Sequence, residues 1–366
     1  MTELPLDGFI VIDTTRMLPG AVLARLLGDL GARLLKVEDP AGGDPFRAAP
    51  PLENGIGAGF AALYRGAESL ALDLRDPGDA AVVRKLVKHA DVFVESFRPG
   101  TLERWDLGRA RLRALNPGLV SCSLSSYGSA GEWASRVGHD LNFSAQSGLL
   151  PLLRGGREEP ADGHLPRVQV ADVASGLLAC SAILAALLTR ARTGIGADLD
   201  QPLALGPLPF VAWAQVDALL GGPSMTTSHL AGAAPCYRTY VCADGQAVAL
   251  GAIEPKFWAS LVEAAGLPEL AGAGLDTGSD GADAAARLAT AFAARPRDHW
   301  LDVARDRNLP LTAAHDPVAA KADGYYGAAG GAWFGAWPAR AGAAPRLGEH
   351  TARVLAEFGV TDAISR

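Results

Sequence analysis

An open α/β sheet of parallel strands, joined to a smaller α+β domain, is the fold class this sequence predicts. Three observations lead there. The first 125 residues alternate short apolar runs with stretches of helical spacing, and strands joined through helices pair in parallel with right-handed crossovers. After about residue 225 the pattern changes to a hairpin signal. Finally, 366 residues, 49% of them apolar, exceed one small core and are too hydrophobic for disorder.

The elements follow in order. Residues 9–12 read as a short buried strand. Residues 21–30 carry apolar side chains at helical spacing and end at Gly31. Residues 33–37 and 69–74 are further strands. A helix opens at Pro77, where the missing N–H costs no hydrogen bond, and runs to His89. Residues 92–94 and 119–123 complete the strand series. A long apolar helix spans 172–192 and is closed by Gly194. Residues 236–242 and 247–251 form a hairpin about Asp244-Gly245. Helices are expected at 255–265, 284–294, 299–305 and 349–358, with a flexible surface loop at 272–281. This divides the chain into a large domain (1–195), a linker (196–224), a small domain (225–330) and a C-terminal segment (331–366) that returns to the large domain.

Composition narrows the function. A formal charge of −7 argues against nucleic acid, which calls for a basic stripe. The four cysteines form no C-x-x-C pair, and Cys236 and Cys242 have no His within a zinc-ligand spacing. Buried thiols in a reducing cytoplasm, and no metal, are the expectation. No signal-peptide pattern is visible at residues 1–12, and the apolar run 174–188 is too short to span a bilayer. No G-x-G-x-x-G follows a strand, and neither a phosphate-binding G-x-x-x-x-G-K-[ST] nor a G-x-S-x-G occurs. Residues 123–128 hold three serines, but no helix follows at once and no base is assigned to them.

Three residues stand out as chemistry. His139 is flanked by Gly138 and precedes an apolar helix. Asp172 is an acid at the start of an otherwise apolar helix, and Glu254 sits between a strand and a helix opened by Pro255. For both acids the local default is helix capping, worth about 1 kcal/mol.

Taken together, Leu26-Leu-Gly-Asp-Leu-Gly-Ala32, Lys36-Val-Glu38, Gly42-Gly-Asp-Pro-Phe-Arg47, Ser69-Leu-Ala-Leu-Asp-Leu74 and Asp91-Val-Phe-Val-Glu-Ser-Phe-Arg-Pro-Gly100 resemble the family III CoA transferases (the CaiB/BaiF family). Gly138-His-Asp140, Ala171-Asp172 and Ala249-Leu-Gly-Ala-Ile-Glu-Pro255 are most similar to the α-methylacyl-CoA racemases within it. The resemblance runs from about residue 4 to 260. It implies His139, Asp172 and Glu254 as the catalytic set of an isomerase that inverts C2 of a 2-methylacyl-CoA thioester. Two acid/base groups on opposite faces, His139 and Asp172, exchange the C2 proton through an enolate, and Glu254 orients the imidazole. An N–H at the head of the long helix is the natural donor to the enolate oxygen. CoA is part of the substrate, and no separate cofactor is implied. The family also implies an interlocked homodimer of ring-shaped subunits.

The alternative within the family is a CoA transferase, with Asp172 attacking the acyl carbonyl. Where relatives carry N-R-G-K, this chain has Tyr64-Arg-Gly-Ala-Glu68, so an acid replaces a base expected near the CoA phosphates. Arg47, Arg65, Arg75 and Arg98 are the candidates to hold those phosphates. Trp133, Phe143, Trp213, Tyr237 and Tyr240 are candidate walls for the acyl chain.

Overall fold

In the computed structural model, which describes residues 3–153, 165–221, 228–328, 331–335 and 337–360, the apolar runs of the first part pair side by side. Strands β1 (Ile10–Asp13), β2 (Arg33–Glu38), β3 (Glu68–Ala71), β4 (Val92–Glu95), β5 (Val120–Ser123) and β6 (Asp198–Asp200) form one parallel sheet. Its spatial order is β3-β2-β1-β4-β5-β6. The parallel α/β class expected from the sequence is therefore present. Chain direction across the sheet reverses between β1 and β4, and open α/β sheets leave a ligand crevice outside the carboxyl ends at such a point.

Alternation along the strands builds a core on each face. Val11, Leu34 and Val94 point into one, with helix α1 (Met17–Asp29). Ile12, Leu35 and Phe93 point into the other, with α2 (Pro77–Val87). The start of α2 follows its sequence signal: Asp76 accepts hydrogen bonds from the Gly78 and Asp79 amides, and Pro77 fills the first turn. Helix α3 (Asp140–Gln146) precedes the long α4 (Val170–Thr193), which ends on Gly194 at φ 73° as its sequence requires.

By length and hydropathy α4 is the one helix among the described residues that could cross a membrane, contrary to the shorter span read from 174–188. Half of its apolar window is instead buried in the protein. It packs on α1, and the approach is close: a Cβ on Gly176 would stand 2.9 Å from the Pro19 carbonyl oxygen. Gly176→Val is expected to cost about 1–3 kcal/mol through overpacking, read as a lower urea midpoint with unchanged slope.

By its contacts the chain divides into two compact units, residues 1–150 with 165–209 and 329–366, and residues 151–164 with 210–328. Helix α5 (Leu208–Leu220) straddles the sequence boundary. The second unit has an antiparallel sheet of β7 (Tyr237–Val241), β8 (Ala247–Gly251) and β9 (Leu311–Ala313), in the order β9-β8-β7. Gly245, at φ 75°, turns the β7–β8 hairpin. Helices α6 (Pro255–Ala264), α7 (Ser279–Ala293) and α8 (Arg297–Arg307) pack Trp258, Phe292 and Trp300 into its core. In the first unit, α9 (Thr351–Glu357) and the residues before it line the outer edge of β3: the His350 amide bonds the Ser69 carbonyl, and Ala71 donates to Thr351.

Several elements differ from expectation. The expected strand 69–74 ends at Ala71: the Leu72 amide still reaches the Glu38 carbonyl, but the Asp73 amide turns to the Asp79 carboxylate. Asp198–Asp200, placed in the linker by sequence, is a sheet strand whose acids pair sideways with Ser121, Arg113 and Ser129. The loop expected at 272–281 is shorter: Asp276 accepts from the Gly278 and Gly281 amides and starts α7 at Ser279. The expected start of the small domain, at 224–225, lies outside the described residues.

Candidate active site

Two clefts open at the carboxyl ends of the strands in the first unit, and the turns after β1 and β4 serve both, through Arg16 and Phe97. The first cleft, of about 210 Å³, lies over β1, β2 and the turn after β3. Its floor is a buried polar cluster. Lys36, 1% exposed, lies 3.1 Å from Asp44 and 3.6 Å from Asp13, and donates to the Thr15 carbonyl. The Tyr64 hydroxyl donates to Asp13 over 3.0 Å, and its ring sits 4.7 Å from the ammonium. Burial works against the Lys36 charge, but Asp13, Tyr64 and Asp44 together more than offset it and hold the ammonium above its ordinary pKa. The cluster fixes the Thr14–Arg16 turn against the loop carrying Asp44, whose carboxylate also accepts the Met17 amide.

The second cleft, of about 580 Å³, holds both His139 and Asp172 in its lining. His139 is exposed at the head of α3, and its amide donates to Asn142 Oδ1 at 3.0 Å. The turn before it needs Gly138, where a Cβ would meet the Phe143 ring at 2.7 Å. Asp172 does not begin α4 but is its third residue, and no side chain caps that helix at its Gln169 N-cap. Capping is thus not its task. Burial, then the charge of Asp140, push the Asp172 carboxyl up to about 7.

Of the N–H groups at the head of the long helix, that of Asp172 is engaged: it donates to Asp140 Oδ1 at 3.1 Å. The Asp140 amide itself, beside His139, donates to no partner among the described residues. Glu254 belongs to the second unit, where it is the exposed N-cap residue of α6 and its side chain caps nothing.

The arginines separate. Arg75 lines the first cleft and is held by Asp73 and Asp39, at 2.7 and 2.9 Å. Arg98 lines the second and is exposed. The loop that carries Arg98 is anchored by Glu95, which accepts from the Phe97 amide at 2.7 Å and bonds Ser123. Arg47 lines neither cleft; Glu38 holds it at 2.6 Å, and it donates to the Pro345 carbonyl. Arg65 lines neither cleft and lies near Gly331. Glu68 stands at the amino end of β3, where it pairs with Arg33 and Arg353 at 2.9 and 2.7 Å.

None of the five aromatic candidates lines the second cleft. Phe143 is buried against Gly138, and Tyr240 is buried in the second unit with its hydroxyl on the Pro235 carbonyl. Arg16 and Arg136, which the sequence did not single out, do line it, as do Ser125 and Ser126 from the serine-rich stretch 123–128. The signal available was position alone: Arg16, Ser125 and Ser126 follow the ends of β1 and β5. Among the described residues no group of His, Cys, Asp or Glu could hold a metal.

Residues 6–333 match the family model described as CoA-transferase family III. The chain is 34% identical over 301 residues to alpha-methylacyl-CoA racemase of Homo sapiens, which spans 81% of this chain and 74% of that one. It is also 34% identical over 270 residues to succinyl-CoA:glutarate CoA-transferase of Mus musculus, spanning 73% of this chain and 61% of that one. The crystal structure of a CAIB/BAIF family protein from Brucella suis superposes with a TM-score of 0.82 at 28% identity, covering 98% of this chain and 100% of that chain.

Proposed function

The chain is an enzyme of CoA-transferase family III, and from that premise we propose that it inverts C2 of a 2-methylacyl-CoA thioester. The observation that carries this reading is the placement of His139 and Asp172 in one cleft. One group takes the C2 proton, the electron pair moves into the thioester as an enolate, and the other group returns a proton to the opposite face. The net change is inversion with no covalent intermediate. We assign the Asp140 amide as donor to the enolate oxygen, in place of the engaged Asp172 amide. Glu254, uncommitted within its own helix, orients the imidazole. Arg75 and Arg98 hold the CoA phosphates with Arg16 between them, and Arg47 and Arg65 leave that role. CoA enters as substrate, and no other cofactor takes part.

We place the enzyme in the cytoplasm as an interlocked homodimer. Its four cysteines are buried and unpaired, and α5 exposes Trp213, Leu219 and Leu220 by 55, 86 and 80%. Light scattering should return about twice the chain mass.

The second reading, a CoA transferase, has the equal identity to a transferase in its favour. Against it, attack by Asp172 leaves His139, in the same cleft, without a task. Incubation with 2-methylacyl-CoA in heavy water separates the two. Deuterium at C2 without an acceptor acid is the expected result. No exchange, with CoA moving to an added carboxylate, would reverse the choice.

Asp172 can donate only while it holds its proton, so activity should fall as pH rises through about 7 and the carboxyl loses it. An alkaline limb in the C2 exchange rate, absent in Asp172→Asn, is the check.

A further inference from the structure

His139 and Asp172 are 33 positions apart in sequence, and one side chain spans the gap between their helices. Asp140, first residue of α3, follows His139 directly and accepts the Asp172 amide at 3.1 Å. We propose that Asp140 is a positioning residue: its carboxylate ties the His139 turn to the head of α4 and places a negative charge beside Asp172. This inference rests on the reading of His139 and Asp172 as an acid/base pair.

The physical case has two parts. The first is geometric. The opening amides of a helix have no partner within it, and a carboxylate that takes one also complements the positive end of the helix dipole. Asp140 fills that place on a 24-residue helix, and α3 and α4 pack together there. The backbone of its neighbour His139 is thereby held relative to the head of the helix that carries Asp172.

The second is electrostatic. A carboxyl in the first turn of a helix is ordinarily favoured as the anion. Here the amide and the dipole are already served by Asp140, and a second negative charge beside it is disfavoured. Other charged groups are placed differently. Arg16, Arg98, Arg136 and His139 line the same cleft. Among the elements packed on α4, helix α1 contributes Arg25 and Asp29, which pair with each other at 2.6 Å. Strand β5 contributes Cys122, and the turn Leu203–Leu205 has no ionisable side chain. Asp140 alone accompanies burial as a cause of the raised Asp172 carboxyl. Asp172 therefore holds its proton to a higher pH than an ordinary carboxyl.

The test reads Asp172 directly, without turnover. The protonated-carboxyl infrared band lost in Asp172→Asn is titrated across neutral pH in the full-length protein and in Asp140→Asn. Asn keeps the acceptor oxygen and removes the charge. The expected result is about a tenfold fall in the protonated fraction of Asp172 at a pH above its midpoint, with the alkaline limb of C2 exchange moving the same way. Asp140→Ser, uncharged and still able to cap, should give the same shift should Asn disturb the turn. Asp140→Ala should add a fall in kcat that Asp140→Asn largely restores. An unchanged midpoint in both uncharged capping variants would overturn the proposal. A shifted midpoint with no exchange by any form, wild type included, would overturn the racemase reading and the positioning role with it, while Asp140 would still be shown to act on the Asp172 carboxyl.

Discussion

His139→Ala is expected to abolish inversion of both enantiomers, lowering the rate by about 10²–10⁴-fold, the usual worth of one general acid/base. Both directions fail because each needs a base on one face and a donor on the other. Asp172→Asn should be as severe. Each single variant should still exchange the C2 proton that faces the surviving group, so exchange of one enantiomer outlives its inversion. Glu254→Gln should cost less, since it leaves an imidazole present and misaligned. A transferase predicts another pattern. Asp172 would attack the thioester carbonyl and expel the thiolate, and the resulting anhydride would pass to an aspartyl–CoA thioester. His139→Ala would then be mild, Asp172→Asn fatal, and hydroxylamine would trap an adduct on Asp172. Stoichiometric trapping with a nearly active His139→Ala would overturn the racemase assignment.

The largest effect on stability is expected at Lys36. Its ammonium lies among Asp13, Asp44 and Tyr64 with almost no exposure. Lys36→Met keeps most of the side-chain volume and leaves two buried carboxylates without their counter-ion. Breaking a buried pair from one side costs about 3–5 kcal/mol, a large share of a typical stability of about 5–15 kcal/mol. Urea denaturation measures it. Adding Asp13→Asn and Asp44→Asn to Lys36→Met should recover much of the loss, because the damage lies in the orphaned charges. A single variant within about 0.5 kcal/mol of wild type would show that the cluster carries no such burden.

Much of the large unit was legible because its signals are local. Strands β1, β2, β4 and β5 are short apolar runs, Asp76-Pro77 marks a helix start, and Gly194 marks a helix end. The hairpin turn announced itself through Asp244-Gly245. What was not legible depends on partners distant in sequence. Strand β6 is polar because it is an edge strand whose acids are paired laterally, so no apolar run betrays it. Helix α5 is apolar nearly all round and shows no face to read. For the site, residue type and family pattern pointed to His139 and Asp172, and the structure puts both in one cleft. The arginines could not be sorted by type, since Arg47 and Arg75 differ only in what surrounds them. Asp140 was seen only as the neighbour of His139. Its bond to Asp172 crosses between helices, which a linear pattern does not show.

The segment lying along β3 bears on how the protein is made. Strand β3 is an edge of the sheet, and its outer groups bond to His350 and Thr351, about 280 positions later in the chain. On the ribosome, the second unit's main block, residues 210–328, is complete before that cover emerges. The edge of the first unit's sheet is therefore covered only after the second unit's main block has been made. Until residues 340–360 leave the exit tunnel, an unpaired strand edge faces the cell, the kind of surface that recruits other nascent chains. Slowing translation just before this segment, or truncating it, should send the chain to aggregates through β3, while the second unit folds on schedule.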